Sequence, residues 1–529
     1  MNHKPSAFTG RIARSAGAVS GAVMCSRVLG LVREQIFAGM FGAGYAYDAF
    51  VVAFRIPNLL RDLFGEGALS AAFVTVFTDY DTNKGKEETW KLANTVLTFF
   101  TILLSLLTLV GIYLAGPIVN LLAPDFQSVT GKTELTAYLT RIMFPFLIFV
   151  ALAAVVMGIL NSRGKFFVPA LSSSFFNLGS IVGGVSLTLL FSSIGQPPIA
   201  GMAVGTLIGG MLQFLIQLPT LKRVGFTFKP RLALFDPGLK RIMLLMLPAT
   251  IGLSATQINI FVNTNFAASC VEGSVSWLNY AFRLVQLPIG LFGVAFSIAV
   301  MPVLGRLAAE NDMEGLKETF NSSLIMVLSL TIPATAGLVL LAEPIIRLIF
   351  EHGAFTSLDT IKTAEALTYY AYGLFAYSAI KVMVPVFYAQ GNTKYPVIGS
   401  FIAVAANILI ITLTIDYFQH KAIAFSTSCT MTLNFLFLGV ILHKKLRDYS
   451  LTPLLQGTLK IIAASGIMSL GVWGLKIMLL PWLHGAVIGQ LAGVIIIISS
   501  GGLVYYTALL VMRLPELDVI TEKLLQRFR

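Results

Sequence analysis

Asp48-Ala49-Phe50-Val51-Val52-Ala53-Phe54-Arg55-Ile56-Pro57-Asn58-Leu59-Leu60-Arg61 is apolar enough to lie in a membrane, yet it holds three charged residues and a proline. It also recurs. Ala53-Phe54-Arg55 returns as Ala281-Phe282-Arg283, 228 positions later, and at the same offset Leu59, Leu63, Phe64 and Gly65 match Leu287, Leu291, Phe292 and Gly293. Leu114, Ala115, Pro117 and Ile118 match Leu341, Ala342, Pro344 and Ile345 at offset 227. Ala203, Thr206, Leu212, Phe214 and Leu215 match Ala424, Thr427, Leu433, Phe435 and Leu436 at offset 221. One such match is chance among Leu, Ala and Phe. Three runs in the same order at nearly one offset are a repeat.

The rest of the chain fits that reading. Of 529 residues 12% are charged and 56% hydrophobic, about half the roughly 25% charge usual in soluble domains. The mean hydropathy is +0.82, which leaves too little polar surface to cover a water-soluble globule. A bilayer core about 30 Å thick takes roughly 20 apolar residues per helix. Cutting at Gly, Pro, Asn and charge predicts fourteen spans: 17–43, 48–78, 93–122, 137–160, 168–192, 198–221, 242–267, 275–304, 321–346, 366–389, 395–415, 422–442, 457–480 and 486–512. The repeat unit is six spans, an even number, so both copies enter the membrane the same way and their pseudo-two-fold axis lies along its normal. The expected fold is therefore an all-α polytopic membrane protein. It has an N-terminal lobe (1–221), a basic cytoplasmic linker (222–241), a C-terminal lobe (242–443) and a last pair of spans with a cytoplasmic tail (444–529). Two lobes around a cleft suit alternating access.

Charge sets the orientation and removes several functions. With the N-terminus inside, the cytoplasmic segments carry 24 Lys and Arg and the opposite connections 4, so both termini are expected in the cytoplasm. The net charge of +12 is then topology signal and contact with anionic lipid, not nucleic-acid binding. Cys25, Cys270 and Cys429 are too scattered for a disulfide framework, a metal site or a redox pair. The histidines form no metal motif, and Gly131-Lys132-Thr133 lacks the leading glycine of a phosphate-binding loop. No cofactor, metal or enzymatic activity is expected. A polyprenyl-phosphate transferase, the enzyme worth weighing, would want clustered Asp, His or metal-binding carboxylates at a membrane face.

Charges inside the spans point to the substrate. Nine Lys and Arg fall there (Arg27, Arg33, Arg55, Arg61, Arg141, Arg283, Lys381, Lys460 and Lys476) against five carboxylates (Glu34, Asp48, Asp62, Glu66 and Glu343). An arginine at bilayer depth costs at least about 2.5–3.5 kcal/mol, so four between positions 27 and 61 demand a polar cavity. Internal pairing is the bland alternative: Arg27 with Glu34, Asp48 with Arg55 and Arg55 with Asp62 are each seven apart, on one helix face. It neutralises only part of the cluster, and Arg283 has no acid in its own span. Guanidinium stays protonated and grips phosphate oxygens in pairs, so the site suits an anionic, phosphorylated substrate. Spans two and eight are also interrupted in parallel, by Pro57, Gly65 and Gly67 and by Pro288, Gly290 and Gly293, the pattern that marks a transporter's binding site.

Here the residues become recognisable. Ser26-Arg27-Val28-Leu29-Gly30-Leu31-Val32-Arg33-Glu34, the 48–61 stretch followed by Glu66-Gly67-Ala68, and Gly273-Ser274-Val275-Ser276-Trp277 with Tyr280-Ala281-Phe282-Arg283 together resemble the MurJ/MviN family. These are the lipid II flippases of the multidrug/oligosaccharidyl-lipid/polysaccharide exporter superfamily. The resemblance spans nearly the whole chain. It implies a bacterial inner-membrane protein that carries the undecaprenyl-pyrophosphate-linked peptidoglycan precursor outward, in functional contact with the machinery of peptidoglycan synthesis. It maps substrate-binding arginines onto Arg27, Arg33, Arg61 and Arg283, and supporting or gating roles onto Glu34, Asp48, Arg55, Glu66 and Ser276. It gives the last two spans a groove for the polyprenyl tail, among membrane lipids. Phe282 and Gln286 stand where family members often carry acids, and the seventh span has no carboxylate, so neither proton coupling through those acids nor a sodium site there is expected; the coupling ion is left open. A drug or polysaccharide-precursor exporter of the same superfamily is the alternative.

Overall fold

In the computed structural model, residues 7–62, 68–446 and 451–514 are described; they form helices and their connections, with no strand among them. Contacts divide the chain into two units, 1–273 and 274–529.

The first unit runs α1 (Ala7–Phe41), α2 (Tyr45–Arg61), α3 (Ala68–Asn83), α4 (Gly85–Tyr113), α5 (Ala115–Leu122), α6 (Lys132–Met143), α7 (Phe146–Ser162), α8 (Phe167–Ser193), α9 (Ile199–Leu215), α10 (Leu218–Arg223) and α11 (Pro237–Ala268). Its main apolar core joins Phe73, Phe77, Phe100, Val155 and Ile159 from α3, α4 and α7 to Ile242 of α11. Beside it α8 and α9 meet backbone to backbone. A Cβ on Gly201 would stand 2.2 Å from the Thr188 nitrogen, and one on Gly205 2.3 Å from the Gly184 nitrogen. Small residues four apart are how membrane helices reach this closeness where lipid gives no hydrophobic drive.

The second unit runs α12 (Ser274–Pro288), α13 (Ala295–Ala309), α14 (Met313–Leu340), α15 (Ala342–Phe350), α16 (Ser357–Ala371), α17 (Leu374–Ala389), α18 (Lys394–Phe418), α19 (His420–Lys445), α20 (Thr452–Met478), α21 (Leu480–Leu483) and α22 (Val487–Val511). Its core gathers Leu316, Leu324 and Leu328 of α14, Val382 and Val386 of α17, Leu438 of α19 and Ile461 of α20. The final pair of long helices is docked on α14: Lys476 donates to the Leu340 carbonyl at 2.8 Å, and Tyr505 to the Ser329 carbonyl at 2.5 Å. A lysine in the last turn of an apolar helix is thereby given an orphan carbonyl at a helix end.

The predicted spans map one to one onto these helices, counting α2 with α3, α6 with α7, α12 with α13 and α16 with α17 as broken spans. Ten helices, or twelve with two bent pairs joined, are long and apolar enough to cross a membrane among the described residues, and fourteen is compatible with this. The repeat is visible in element order: α5 begins 227 residues before α15, α7 228 before α17, and α8 227 before α18. By packing, the first unit ends at Gly273 because α11 lies against α3; by repeat order α11 heads the second copy. The expected lobe boundary follows the repeat, not the packing.

The helix breaks differ from expectation in part. Pro57 does not break its helix: it is buried inside α2, which continues to Arg61, as membrane helices tolerate when neighbours cover the freed carbonyl. Gly65 and Gly67 lie outside the described residues. Pro288 does end α12, and Gly290 and Gly293 fall in a π-helical stretch, Ile289–Val294. Two breaks were not foreseen, at Phe144-Pro145 and at Tyr372-Gly373, where the axis bends by 42°. Pro145 and Gly373 are 228 apart, the repeat offset. At the first, Phe144 turns into the space left by Gly111, whose Cβ would sit 2.1 Å from the ring. At the second, Ser428 donates to the Tyr369 carbonyl at 2.5 Å, satisfying backbone that the bend releases.

Candidate functional site

The first unit holds most of the expected residues on α1 and α2. Neighbouring α8 fixes the turn of α1 that matters: Asn177 donates to the Ser26 carbonyl at 3.0 Å, and Arg27 next along points outward, exposed. Two turns on, Arg33 is buried. It donates to Glu34 at 2.7 Å and its guanidinium lies 5.2 Å from the Phe176 ring and 5.9 Å from that of Phe37. Glu34 also accepts from the Tyr47 hydroxyl at 2.8 Å. Arg33 and Glu34 thus act as a polar rivet between α1, α2 and α8, whereas Arg27 keeps its charge at the surface of the unit.

On α2, Arg55 is half-buried, and Arg61 donates to Asp62 at 2.9 Å. Gln257 of α11 donates to the other Asp62 oxygen at 3.3 Å, so this end of α2 is positioned from α11. Glu66 lies outside the described residues. At the opposite end Asp48, 2% exposed, accepts from Lys132 of α6 at 3.0 Å and from the Gly273 N–H at 2.9 Å. Lys132 is equally buried and lies 4.4 Å from the Phe126 ring. The spacing-based pairs are therefore not the ones to which the geometry gives these distances. Glu34 and Asp62 take their adjacent arginines, and Asp48 takes a lysine 84 residues away.

In the second unit Ser276 is fully buried on α12 and Arg283, two turns later, is half-buried. Phe282, standing where an acid was looked for, packs on Tyr370 of α16 with ring centroids 5.3 Å apart, while Gln286 is exposed. Trp277 donates to Asp359 of α16 at 2.9 Å; Asp359 also accepts from the Thr356 N–H and hydroxyl, capping that helix. Sequence reasoning missed both Lys132 and Asp359. Among the described residues no group of three or more His, Cys, Asp or Glu is placed to hold a metal ion.

Long apolar helices, some of them broken, with arginines left accessible on α1, α2 and α12, define the class as a multi-pass membrane protein. In fold alone, the chain is similar to an inward-facing multidrug resistance transporter of the MATE family, which superposes with a TM-score of 0.68 at 15% identity, over 82% of this chain and 99% of its own. A family model described as lipid II flippase MurJ matches residues 37–493. A probable lipid II flippase MurJ of Vibrio cholerae is 34% identical over 523 residues, 97% of this chain and 98% of that protein. The lipid II flippase MurJ of Burkholderia cenocepacia is 35% identical over 436 residues, 81% and 83% of the two chains. A structure of lipid II flippase MurJ in an inward closed conformation superposes with a TM-score of 0.78 at 30% identity, over 95% of this chain and 99% of its own. The chain belongs to the lipid II flippase MurJ family.

Proposed function

We propose that the protein moves lipid II, the polyprenyl-pyrophosphate-linked peptidoglycan precursor, from the cytoplasmic to the periplasmic leaflet of a bacterial inner membrane by alternating access, with both termini in the cytoplasm. The observation that carries this is the placement of permanently charged guanidinium groups at accessible positions of apolar spans: Arg27 exposed on α1, Arg61 part-exposed at the end of α2, and Arg283 half-buried on α12. Such groups are costly against hydrocarbon and suited to a diphosphate, which they bind in bidentate fashion. Arg33, being buried and paired, positions α1 and does not touch substrate in this state. Asp48 and Ser276 support the ends of α2 and α12. The final pair, α20 and α22, is the place for the polyprenyl tail.

The work done is transport and not bond chemistry. No nucleotide-binding motif is present in the sequence, so the drive is membrane potential or an ion gradient, with consumption of lipid II outside drawing the flux. Moving one elementary charge across 100 mV is worth about 2.3 kcal/mol, enough to bias a cycle more than tenfold. The test is to replace Arg27, Arg61 and Arg283 singly with Ala and to ask whether each variant, at equal membrane abundance, sustains growth of a strain depleted of its own flippase. Failure of at least two is expected; growth supported by all three overturns the assignment.

A further inference from the structure

The 222–241 segment reads in sequence as a basic connection in water. Its course in the first unit says otherwise. Phe226 packs edge-on against Trp90 of α4, ring centroids 5.4 Å apart. The Thr227 carbonyl then accepts from the Asn94 side chain at 3.3 Å, the Lys229 N–H donates to Asn94 at 2.8 Å, and the Arg231 N–H donates to Thr98 at 3.1 Å. Trp90, Asn94 and Thr98 are successive turns of α4, so the chain descends along the helix by about 12 Å. It descends toward the apolar part: Lys91 is the last charge on α4, and the next residues exposed on it past Thr98 include Ile102 and Leu106.

Two features at the bottom of this descent fit lipid and not water. Asn94 and Thr98 are buried polar residues of a membrane span, and both are used to satisfy the backbone of the ribbon, which bulk water would satisfy unaided and hydrocarbon does not. Beyond Arg231 the side chains left uncovered are apolar: Leu232 is 59% exposed, Leu234 55% and Phe235 96%. Asp236 then caps α11, accepting from the Gly238 N–H at 2.9 Å, and the chain enters the next span. Lys229 and Arg231 immediately precede the apolar tip, where long aliphatic stems let charged ends reach back to lipid phosphates.

We propose that residues 227–236 form a re-entrant ribbon that inserts Leu232, Leu234 and Phe235 into the leaflet on the basic side of the membrane and engages anionic lipid headgroups through Lys229 and Arg231. The ribbon is a membrane contact independent of what the protein transports. The full chain, with Cys25, Cys270 and Cys429 replaced by Ser and Phe235→Cys carrying a nitroxide, is reconstituted in nanodiscs of phosphatidylcholine with and without phosphatidylglycerol. Power saturation should show oxygen collisions exceeding those with a water-soluble nickel chelate. Adding Asn94→Leu and Thr98→Val, which remove the backbone partners, should move the label toward the chelate. A chelate-dominated signal in the parent background overturns the proposal, as does dipolar broadening between labels, which would mean that a second copy covers the tip. Hydrogen exchange on the unmodified chain covers the case in which the labelled variant fails to fold: amides of 228–235 should exchange more slowly with phosphatidylglycerol present, and Lys229→Gln with Arg231→Gln should abolish that slowing. Equal exchange in both lipids overturns the headgroup contact.

Discussion

At the start of α2 a carboxylate reaches across to a lysine on α6; at the start of α12 an indole N–H reaches across to a carboxylate on α16. The two helix pairs occupy corresponding places in the repeat, and Lys132 and Asp359 are 227 positions apart. Each fastens the first turn of a helix to its neighbour. The first does so with two buried opposite charges, the second with one charge satisfied by neutral donors. A buried ion pair tolerates loss of both members far better than loss of one, because a single survivor is left charged without compensation. A carboxylate held by three neutral donors loses them one at a time. The same mechanical task is therefore brittle in the first unit and graded in the second.

The largest effect should come from Lys132→Met. With Asp48 left charged and buried without its lysine, though still held by the Gly273 N–H, the loss is up to about 3–5 kcal/mol, read as a fall in melting temperature of the purified protein; adding Asp48→Leu should recover most of it. A single variant as stable as its parent would remove the distinction between the corners. Trp277→Phe should cost less, about 1.5–3 kcal/mol for a hydrogen bond to a charged acceptor, because Thr356 still serves Asp359. Should it equal Lys132→Met in the same melting assay, the second corner is no more graded than the first.

The comparison extends to the α8–α9 and α18–α19 pairs, where Gly205 corresponds to Ser426 at offset 221. Gly205→Ala forces a Cβ into the Gly184 backbone and should destabilise by about 1–3 kcal/mol. Ser426→Ala, which loses the 2.6 Å hydrogen bond to Asn407, should cost about 1 kcal/mol. Chemical denaturation of the two variants side by side checks the order. The smallest effect is a reactivity. Cys270 lies three residues before Gly273, and burial, with Asp125 adding to it, pushes its thiol up to about 12. At neutral pH it should label with maleimide at least about tenfold more slowly than an unperturbed thiol, the scarcer thiolate being partly offset by its greater nucleophilicity, and Lys132→Met should speed it by loosening the corner. Rapid labelling in the parent protein would show that the corner is already open.

Span positions were legible because hydropathy over twenty residues is a sum that local detail barely alters. The arginines were legible as charges that a bilayer penalises wherever they sit. Their partners were not, since helix-face spacing favours residues three, four or seven apart over neighbours such as Arg33 and Glu34, and Asp48 is met by a residue from another helix. Lys132 did leave one signal: it is among only four basic residues on the sparsely charged connections. The break at Phe144-Pro145 was masked for a different reason. Its proline begins a new helix instead of kinking an old one, and what decides the geometry is the ring pressed into Gly111.

The glycine seam between α8 and α9 has a mechanical corollary. Where main chain rests on main chain, no rotamer can give and no side chain can slide, so the two helices behave as one stiff plank to which α1 is tied through Asn177. Any flexure of the first unit has then to be taken up elsewhere, at joints such as the Phe144-Pro145 step or the proline at position 248 inside α11. Arg27, mounted on the plank, is carried as cargo by any rocking of the unit and keeps its aim while the joints do the bending.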